Sequence, residues 1–435
     1  MKTVAIVGGG ASGLAASIAA AERARDLDAR VEVVIFEGDE RVGRPILATG
    51  NGRCNFSNSQ LEMEKYHNAD FVRNAYDCLA DPECDEPARQ VVSFLESCGL
   101  EWREEPDGRR YPLANKASVV VDVLRAAAAR LGVREQCGKA VKAVEFPRGE
   151  GKRFTLRMED GVFERADAVV ISCGGRALKS LDVAGLRREA QKPVLGPLRV
   201  SGDDIPFVRE LDNIRVRCEI ALLRGKPDAR KRIASESGEL MFRKYGVSGI
   251  CVFDLSRIAE PGDILCIDLL KAGDSDCAER YLLERREKLA ERFGEKLTYA
   301  DMLRGLVLPR VSEALLKRSG LKEEGVCDEA DVKALAKLLT CLSLEVAGIG
   351  DEDICQVQRG GFSIGQFDPT TMQVIGMPGL YATGEALDVD GPCGGYNLHW
   401  AWASGLLAGR AAAERVQSCS EFGACHPVNG EGESR

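Results

Sequence analysis

Three glycines near the start of the chain, Gly8-x-Gly10-x-x-Gly13, have the spacing of a phosphate cradle. Between a strand and a helix, the first glycine permits a tight turn and the second lets the backbone approach a pyrophosphate. The third lets the helix close on the strand. Ala11 and Ser12 lie at the helix start, where free N–H groups and the helix dipole attract phosphate. Glu37 ends the next apolar run, 31–36, about where a ribose-binding acid is expected. Its carboxylate would accept from ribose hydroxyls and repel a 2′-phosphate.

Other stretches carry ligand chemistry of a different kind. Residues 43–58 are dense in Gly, Asn and small polar residues and include Arg44, Thr49, Gly50, Arg53, Cys54 and Asn55. Such stretches make backbone turns that hydrogen-bond a ligand. The apolar run 168–171 ends in Ser172, Cys173, Gly174 and Gly175, as a parallel strand does at a ligand crevice. The run 378–383 ends in Gly384-Glu385, and Gly394-Gly395-Tyr396-Asn397 leads into the last helix. Tyr111, Tyr396 and Arg109 are the candidates for orienting a substrate or delivering a proton.

The elements that must position these residues follow from periodicity. Val4 to Val7 reads as a buried strand, Ala11 to Ala24 as a helix, and Val31 to Phe36 as a second strand. Ser118 is expected to cap a helix over 119–131. Runs 141–146, 153–159 and 162–165 read as antiparallel hairpins. Short alternating runs from 191 to 274 suggest an inserted β-rich domain, and 275–343 has helical spacing. The α/β pattern then returns. The expected domains are 1–190 with 355–420, then 191–274 with 344–354, a helical subdomain over 275–343, and a flexible tail over 421–435.

Composition excludes several classes. The chain has 435 residues, 45% of them hydrophobic, which is a globular value. A net charge of −9 argues against nucleic acid as the main partner. No apolar run approaches the length of a membrane span. The glycine turn, with Glu22 and Arg23 beyond it, interrupts what would be the core of a signal peptide, so a cytoplasmic location is expected. Sixteen cysteines are scattered without a Cys-x-x-Cys pair, and there are only three histidines. A metal site is therefore not expected, and most cysteines read as small buried side chains.

Three stretches together resemble one family. Gly43 to Asn58 is similar to its Gly-Arg-Lys…Asn-Gly-Arg-Cys-Asn signature, with Pro45 in place of the usual Lys. Arg109 to Leu124 resembles its Tyr-Pro…Asn-x-Ala-Ser stretch. Gly379 to Gly405 resembles its Gly-Leu-Tyr-x-x-Gly-Glu…Gly-Gly-Tyr-Asn-Leu signature. The family is that of the aminoacetone-oxidase-like FAD-binding flavoproteins, which includes a bile-acid-type steroid reductase. The resemblance implies an α/β fold: a discontinuous Rossmann-type FAD-binding domain with an inserted β-barrel-like domain and a helical subdomain.

The resemblance also distributes the residues along FAD. The Gly8–Gly13 turn would take the pyrophosphate, Glu37 and the backbone of Val141 the adenosine side, and Cys173, Gly174 and Gly175 would pack nearby. Gly384 and Glu385 would hold ribityl or pyrophosphate oxygens. Asp390, Gly394, Gly395, Tyr396 and Asn397 would face the ring, and Arg53, Cys54 and Asn55 would lie beside the ring or phosphate. The segment after Gly175 lacks the family's Thr-Gly-rich run, which leaves the substrate open. A covalent flavin link through Cys54, Cys393 or His399 is not expected.

No second glycine fingerprint follows a later strand, so NAD(P)H is expected to dock transiently as reductant. The favoured reaction is hydride transfer between flavin and a small or steroid-like substrate. Oxidation of an amine or aminoketone by dioxygen, and a non-catalytic flavin-binding sensor or adaptor, remain as alternatives.

Overall fold

The structure is a computed structural model that describes residues 1–147 and 153–421; nearly all of the expected tail over 421–435 lies outside the described residues. The chain divides into two compact units, Met1–Lys192 with Val357–Arg435, and Pro193–Gln356.

The first unit is built on five strands: β1 (Lys2–Val7), β2 (Val31–Phe36), β3 (Arg134–Gln136), β4 (Ala168–Ile171) and β5 (Leu380–Ala382). They form one sheet in the order β5-β4-β1-β2-β3, with every neighbouring pair parallel. The apolar runs in β1, β4 and β5 suit burial on both faces: all four residues of β4 are buried, as are Val4 to Val7, whereas the outermost strand β3, Arg134-Glu135-Gln136, is polar and not buried. Val7 lies opposite both Phe36 and Ile171, and Ile171 opposite Ala382. The carboxyl ends are thus in step, and Gly8, Glu37, Ser172 and Thr383 leave the sheet along one edge.

Two helices join the beginning of the chain to its end, α1 (Ala11–Asp26) and α2 (Tyr396–Glu421). They cross where small residues let the backbones meet. A Cβ on Gly405 would lie 2.5 Å from the Ser12 carbonyl oxygen, and one on Gly409 would lie 2.2 Å from that of Ala16. No side chain fits there without separating the helices. Gly409→Val should cost about 3 kcal/mol, read as a lower denaturation midpoint at unchanged slope. A loss under about 0.5 kcal/mol would mean that the crossing is not close-packed.

Around this frame, Val141–Glu145, Phe154–Met158 and Phe163–Ala166 pair antiparallel, and Asp182–Val183 adds in parallel. The stretch 43–58, expected as a loop, contains a short helix Arg44–Ala48, a turn Thr49–Gly52 and a strand Ser57–Asn58. That strand pairs with Arg109–Pro112, which pairs with Trp102–Glu104. Ser118 does not cap its helix. The helix is Ala117–Arg130, it starts after Lys116, and no side chain caps it.

The second unit is a closed antiparallel barrel in the order Leu198–Val200, Gly246–Ser248, Lys231–Arg243, Arg215–Arg224, Ile264–Asp268 and Leu342–Ile349. Alternate residues Cys218, Ile220 and Leu222 are buried inside, as the period of a strand requires. Helices Ser275–Phe293, Tyr299–Leu303, Pro309–Arg318 and Glu329–Thr340 lie between its last two strands in sequence. Asp274 caps the first, and capping boxes of Thr298 with Asp301 and Asp328 with Asp331 start the second and fourth.

Cysteine usage is more varied than the sequence suggests. Cys54, Cys218, Cys251, Cys327 and Cys355 are buried, Cys78 and Cys84 are exposed, and a disulfide joins Cys266 of the strand Ile264–Asp268 to Cys341 at the end of the helix Glu329–Thr340.

Candidate functional site

Each glycine of the first turn does a different steric job. A Cβ on Gly8, which has φ +101°, would fall 2.5 Å from Cys173 Cα, and one on Gly13 would fall 1.9 Å from the Gly8 carbonyl oxygen. A Cβ on Gly10 would meet nothing within 4 Å. The first and third glycines seal the turn against β4, and the second leaves open space. No side chain caps α1 and no acid stands in its first turn, so the N–H groups around Ala11 and Ser12 retain their positive field.

Glu37 is oriented by that turn. Its carboxylate accepts from the Gly9 N–H at 2.7 Å and from the Asp39 N–H at 2.8 Å. The Lys139 N–H donates to the Glu37 carbonyl at 2.7 Å, which brings the strand beginning at Val141 alongside. Arg44 pairs its exposed guanidinium with Asp39 at 2.8 Å.

On the other side of the turn, Ser172 and Thr383 join their hydroxyls at 2.8 Å and bring the ends of β4 and β5 together. Burial pushes the Cys173 thiol up to about 12, so it is no thiolate at neutral pH. Gly174 (φ +70°) has open space where a Cβ would be, and Gly175 packs on Gln358. The half-buried Glu385 accepts from the Gln358 N–H at 2.8 Å. Desolvation pushes its carboxyl up to about 7, against the pull of that N–H and of Arg176.

The amino end of α2 ties these pieces to the 55–58 strand. Gly384 donates its N–H to Ser404 Oγ at 2.9 Å, and Trp400 Nε1 donates to the Gly384 carbonyl at 3.2 Å. Trp402 Nε1 donates to the Phe56 carbonyl at 3.1 Å. Ser57 Oγ and His399 Nδ1 share a hydrogen bond of 2.9 Å, and desolvation, reinforced by Arg110, pushes His399 down to about 3. His399 is therefore a neutral internal strut. Arg110 is itself buried, paired with Glu86 and with Glu104, and stacked over Trp102.

Before α2, Gly394 and Gly395 have φ of +106° and +100°, a conformation that costs other residues steric strain. A Cβ on Gly395 would also lie 2.5 Å from the Ser57 carbonyl oxygen. Asn58 Nδ2 donates to the Gly394 carbonyl at 3.0 Å. With its amide oriented to suit its neighbours, Asn55 donates to the Arg110 and Ser57 carbonyls and accepts from the Gly395 N–H at 3.2 Å.

Asn397 closes the loop on itself: it accepts from the Gly391 N–H and donates to the Gly391 carbonyl, both at 2.8 Å. Asp390 is fully buried in a two-pronged pair with Arg359, at 2.6 and 2.8 Å. Burial alone would raise the Asp388 carboxyl, but His67, Asn68 and the Gly360 N–H hold it below its ordinary value.

A third group gathers at the strand Arg109–Pro112. The Arg53 guanidinium lies 4.4 Å over the Tyr111 ring and donates to its hydroxyl at 3.3 Å. Arg53 also pairs with Glu105 at 3.4 Å, and Arg109 with Asp107 at 3.1 Å. Burial, set against Arg53 and Arg109, raises the Tyr111 hydroxyl above its ordinary value. A Cβ on Gly50 would be 2.9 Å from the Asn55 N–H, so the turn folds tightly onto this group. Thr49 spends its hydroxyl on the Ile46 carbonyl. Cys54 is wholly buried, and desolvation pushes its thiol up to about 12. Tyr396 accepts from the Glu62 N–H and donates to the Gln60 carbonyl, so its proton is committed to the main chain.

Trp400, Trp402, Ser404, Gln358 and Arg359 are not singled out by the sequence reading, and Ser57 and Asn58 only as part of the stretch 43–58. The Trp400-x-Trp402 pair in a helix of small residues was a legible signal, whereas nothing local marked Arg359. Among the described residues, no group of three or more His, Cys, Asp or Glu side chains could hold a metal ion. Among them, too, no helix is long and apolar enough to cross a membrane.

Residues 2–411 match the family described as HI0933-like protein Rossmann domain. The chain is 34% identical to a 3-dehydro-bile acid delta(4,6)-reductase of Clostridium scindens, over 95% of this chain and 100% of the relative. It is 27% identical to a ribosomal RNA dihydrouridine synthase of Escherichia coli, over 92% of this chain and 95% of the relative. Among solved structures, the 3-ketosteroid delta1-dehydrogenase of Sterolibacterium denitrificans superposes with a TM-score of 0.45 at 14% identity, covering 96% of this chain and 100% of that one.

Proposed function

The chain belongs to the HI0933-like Rossmann family of FAD-binding oxidoreductases, and on that premise we propose that it saturates a C=C bond conjugated to a carbonyl in a small, steroid-like substrate, with NAD(P)H as reductant. The observation that carries the cofactor reading is the room above Gly10 at the uncapped start of α1. Open space beside free N–H groups suits an anion, and the other residues suit the rest of FAD. Ala11, Ser12 and Gly13 would meet the pyrophosphate, Glu37 and Val141 the adenosine, and Glu385 a hydroxyl of the linking chain. The Gly394–Gly395 turn, held by Asn55 and Asn58, is the part assigned to the flat ring. When bound, FAD supplies hydride chemistry at N5.

Two relatives support the reaction type. The activity named for each saturates a C=C bond conjugated to a carbonyl, in a steroid ring and in a uracil ring. The steroid-like substrate follows the relative with the higher identity. In such a reduction the β-carbon receives hydride, the α-carbon a proton, and the carbonyl oxygen needs a donor. Tyr111 is the best placed of the candidates for the proton. Its hydroxyl accepts from Arg53 and keeps its own hydrogen free, whereas Tyr396 does not. Arg109, partly exposed beside Gly394, is suited to the carbonyl oxygen.

The test is anaerobic. NADH or NADPH should bleach the flavin, and a 3-oxo steroid with a conjugated double bond should restore its colour. Tyr111→Phe should lower steroid turnover about 100-fold with FAD content unchanged, while Tyr396→Phe should not. Flavin reduced only by amines and reoxidised by dioxygen would replace this reading with an oxidase.

Glu385 provides a pH signature in protein freed of FAD. Its folded pKa, about 7, lies above its ordinary 4.5. Below pH 4.5 both folded and unfolded chains hold the proton. Between 4.5 and about 7 the unfolded chain ionises first, so stability falls as pH rises, and above 7 the loss is complete. Glu385→Gln should therefore raise the apoprotein's midpoint at pH 8 and leave it unchanged at pH 4. An equal shift at both pH values would assign the effect to packing.

A further inference from the structure

The second unit carries a cavity of about 690 Å³ beside the start of the barrel strand Arg215–Arg224, within the size range of small-molecule sites. Leu303, Leu306 and Leu308 give it an apolar wall, and Leu308 is 48% exposed. Three cations reach it, Arg215, Arg217 and Arg304, against one acid, Glu323. Arg215 is partnered by Glu239 and Arg304 by Asp301, but Arg217 has no hydrogen-bond or ion-pair partner among the described residues.

The wall is held in place from behind. Arg285 donates to the Met302 carbonyl at 2.9 Å and to the Arg304 carbonyl at 2.6 Å. The Thr298–Asp301 capping box fixes the turn before them, and Pro309 starts the helix after them. The leucines are therefore presented by rigid backbone, with little ordering left for a ligand to impose.

We propose that this cavity binds an organic carboxylate carried on an apolar body. The forked donors of arginine match a carboxylate. A small hydrated anion would gain nothing from the leucine wall, and a cationic amphiphile would face Arg217, the one of the three arginines whose charge no acid pairs with among the described residues. Only a molecule with both parts uses the whole surface. The site lies in the barrel unit and does not depend on the reaction proposed above.

Equilibrium dialysis of the FAD-loaded protein with dodecanoate tests it. The wild type should bind dodecanoate, and should bind neither acetate nor dodecyltrimethylammonium at the same concentration. Arg217→Gln should weaken dodecanoate about tenfold through loss of one charge-assisted contact. Leu308→Asp should weaken it further while keeping the fold, because position 308 precedes the helix and Asp is a favourable cap there. Flavin absorbance and circular dichroism report that each variant is folded. Equal binding of the cationic amphiphile, no binding of dodecanoate, or dodecanoate affinity unchanged in both variants would overturn the proposal.

Discussion

Gly10→Val should give a folded protein that no longer retains FAD. The backbone at Gly10 is extended, with φ −75° and ψ −162°, so no positive φ excludes a side chain, and a Cβ there would meet no protein atom within 4 Å. The cost to the apoprotein should stay within about 1 kcal/mol, the scale of a changed helix cap. The branched side chain would occupy the space assigned to the pyrophosphate, and FAD affinity should fall about 100-fold or more. Fluorescence titration of the apoprotein measures the affinity, and urea denaturation measures the stability. Gly13→Ala is the contrasting control: its Cβ would lie 1.9 Å from the Gly8 carbonyl oxygen, so it should unfold the turn itself. Undiminished FAD binding by Gly10→Val would remove the pyrophosphate from this turn.

Asp390→Ala should be among the most destabilising single changes in the first unit, costing about 3–5 kcal/mol. Asp390 is fully buried and takes both prongs of Arg359, whose side chain is 16% exposed. Removing the carboxylate takes both prongs of this pair from a guanidinium in a largely desolvated place. The paired replacement Arg359→Met with Asp390→Leu should recover much of the loss, because it removes both charges and keeps volume. Urea denaturation of the single and paired variants reads both effects. A single-variant loss below about 1 kcal/mol would show that water reaches the pair. Asp390 is on this view a support for the glycine loop, reaching a ligand only through the backbone it holds.

The likeness between chain and fold was strongest where the relevant interactions are local. The first strand, its glycines, the following helix and Glu37 lie within one short stretch, so spacing alone announces their arrangement. The buried stretches 33–36 and 168–171 announce themselves in the same way, because a strand covered on both faces must be apolar there. Residues 43–58 were less legible. Their turn-forming composition is plain, but the strand Ser57–Asn58 exists only because Arg109 and Arg110 pair with it.

What sequence by itself determined is the set of backbone positions where only glycine or an apolar run will serve, and with them the parallel sheet and the cradle at its edge. Tertiary structure alone decided what the polar side chains do. Ser57 meets His399 across 342 positions, and Asn58 reaches Gly394 across 336. Asn397 closes its own loop and Tyr396 holds main chain, although residue type suited either to a ligand. The physical reason is that a glycine's role is set by its own φ and its nearest backbone. A polar side chain's role is set by which group folding brings within about 3 Å of it.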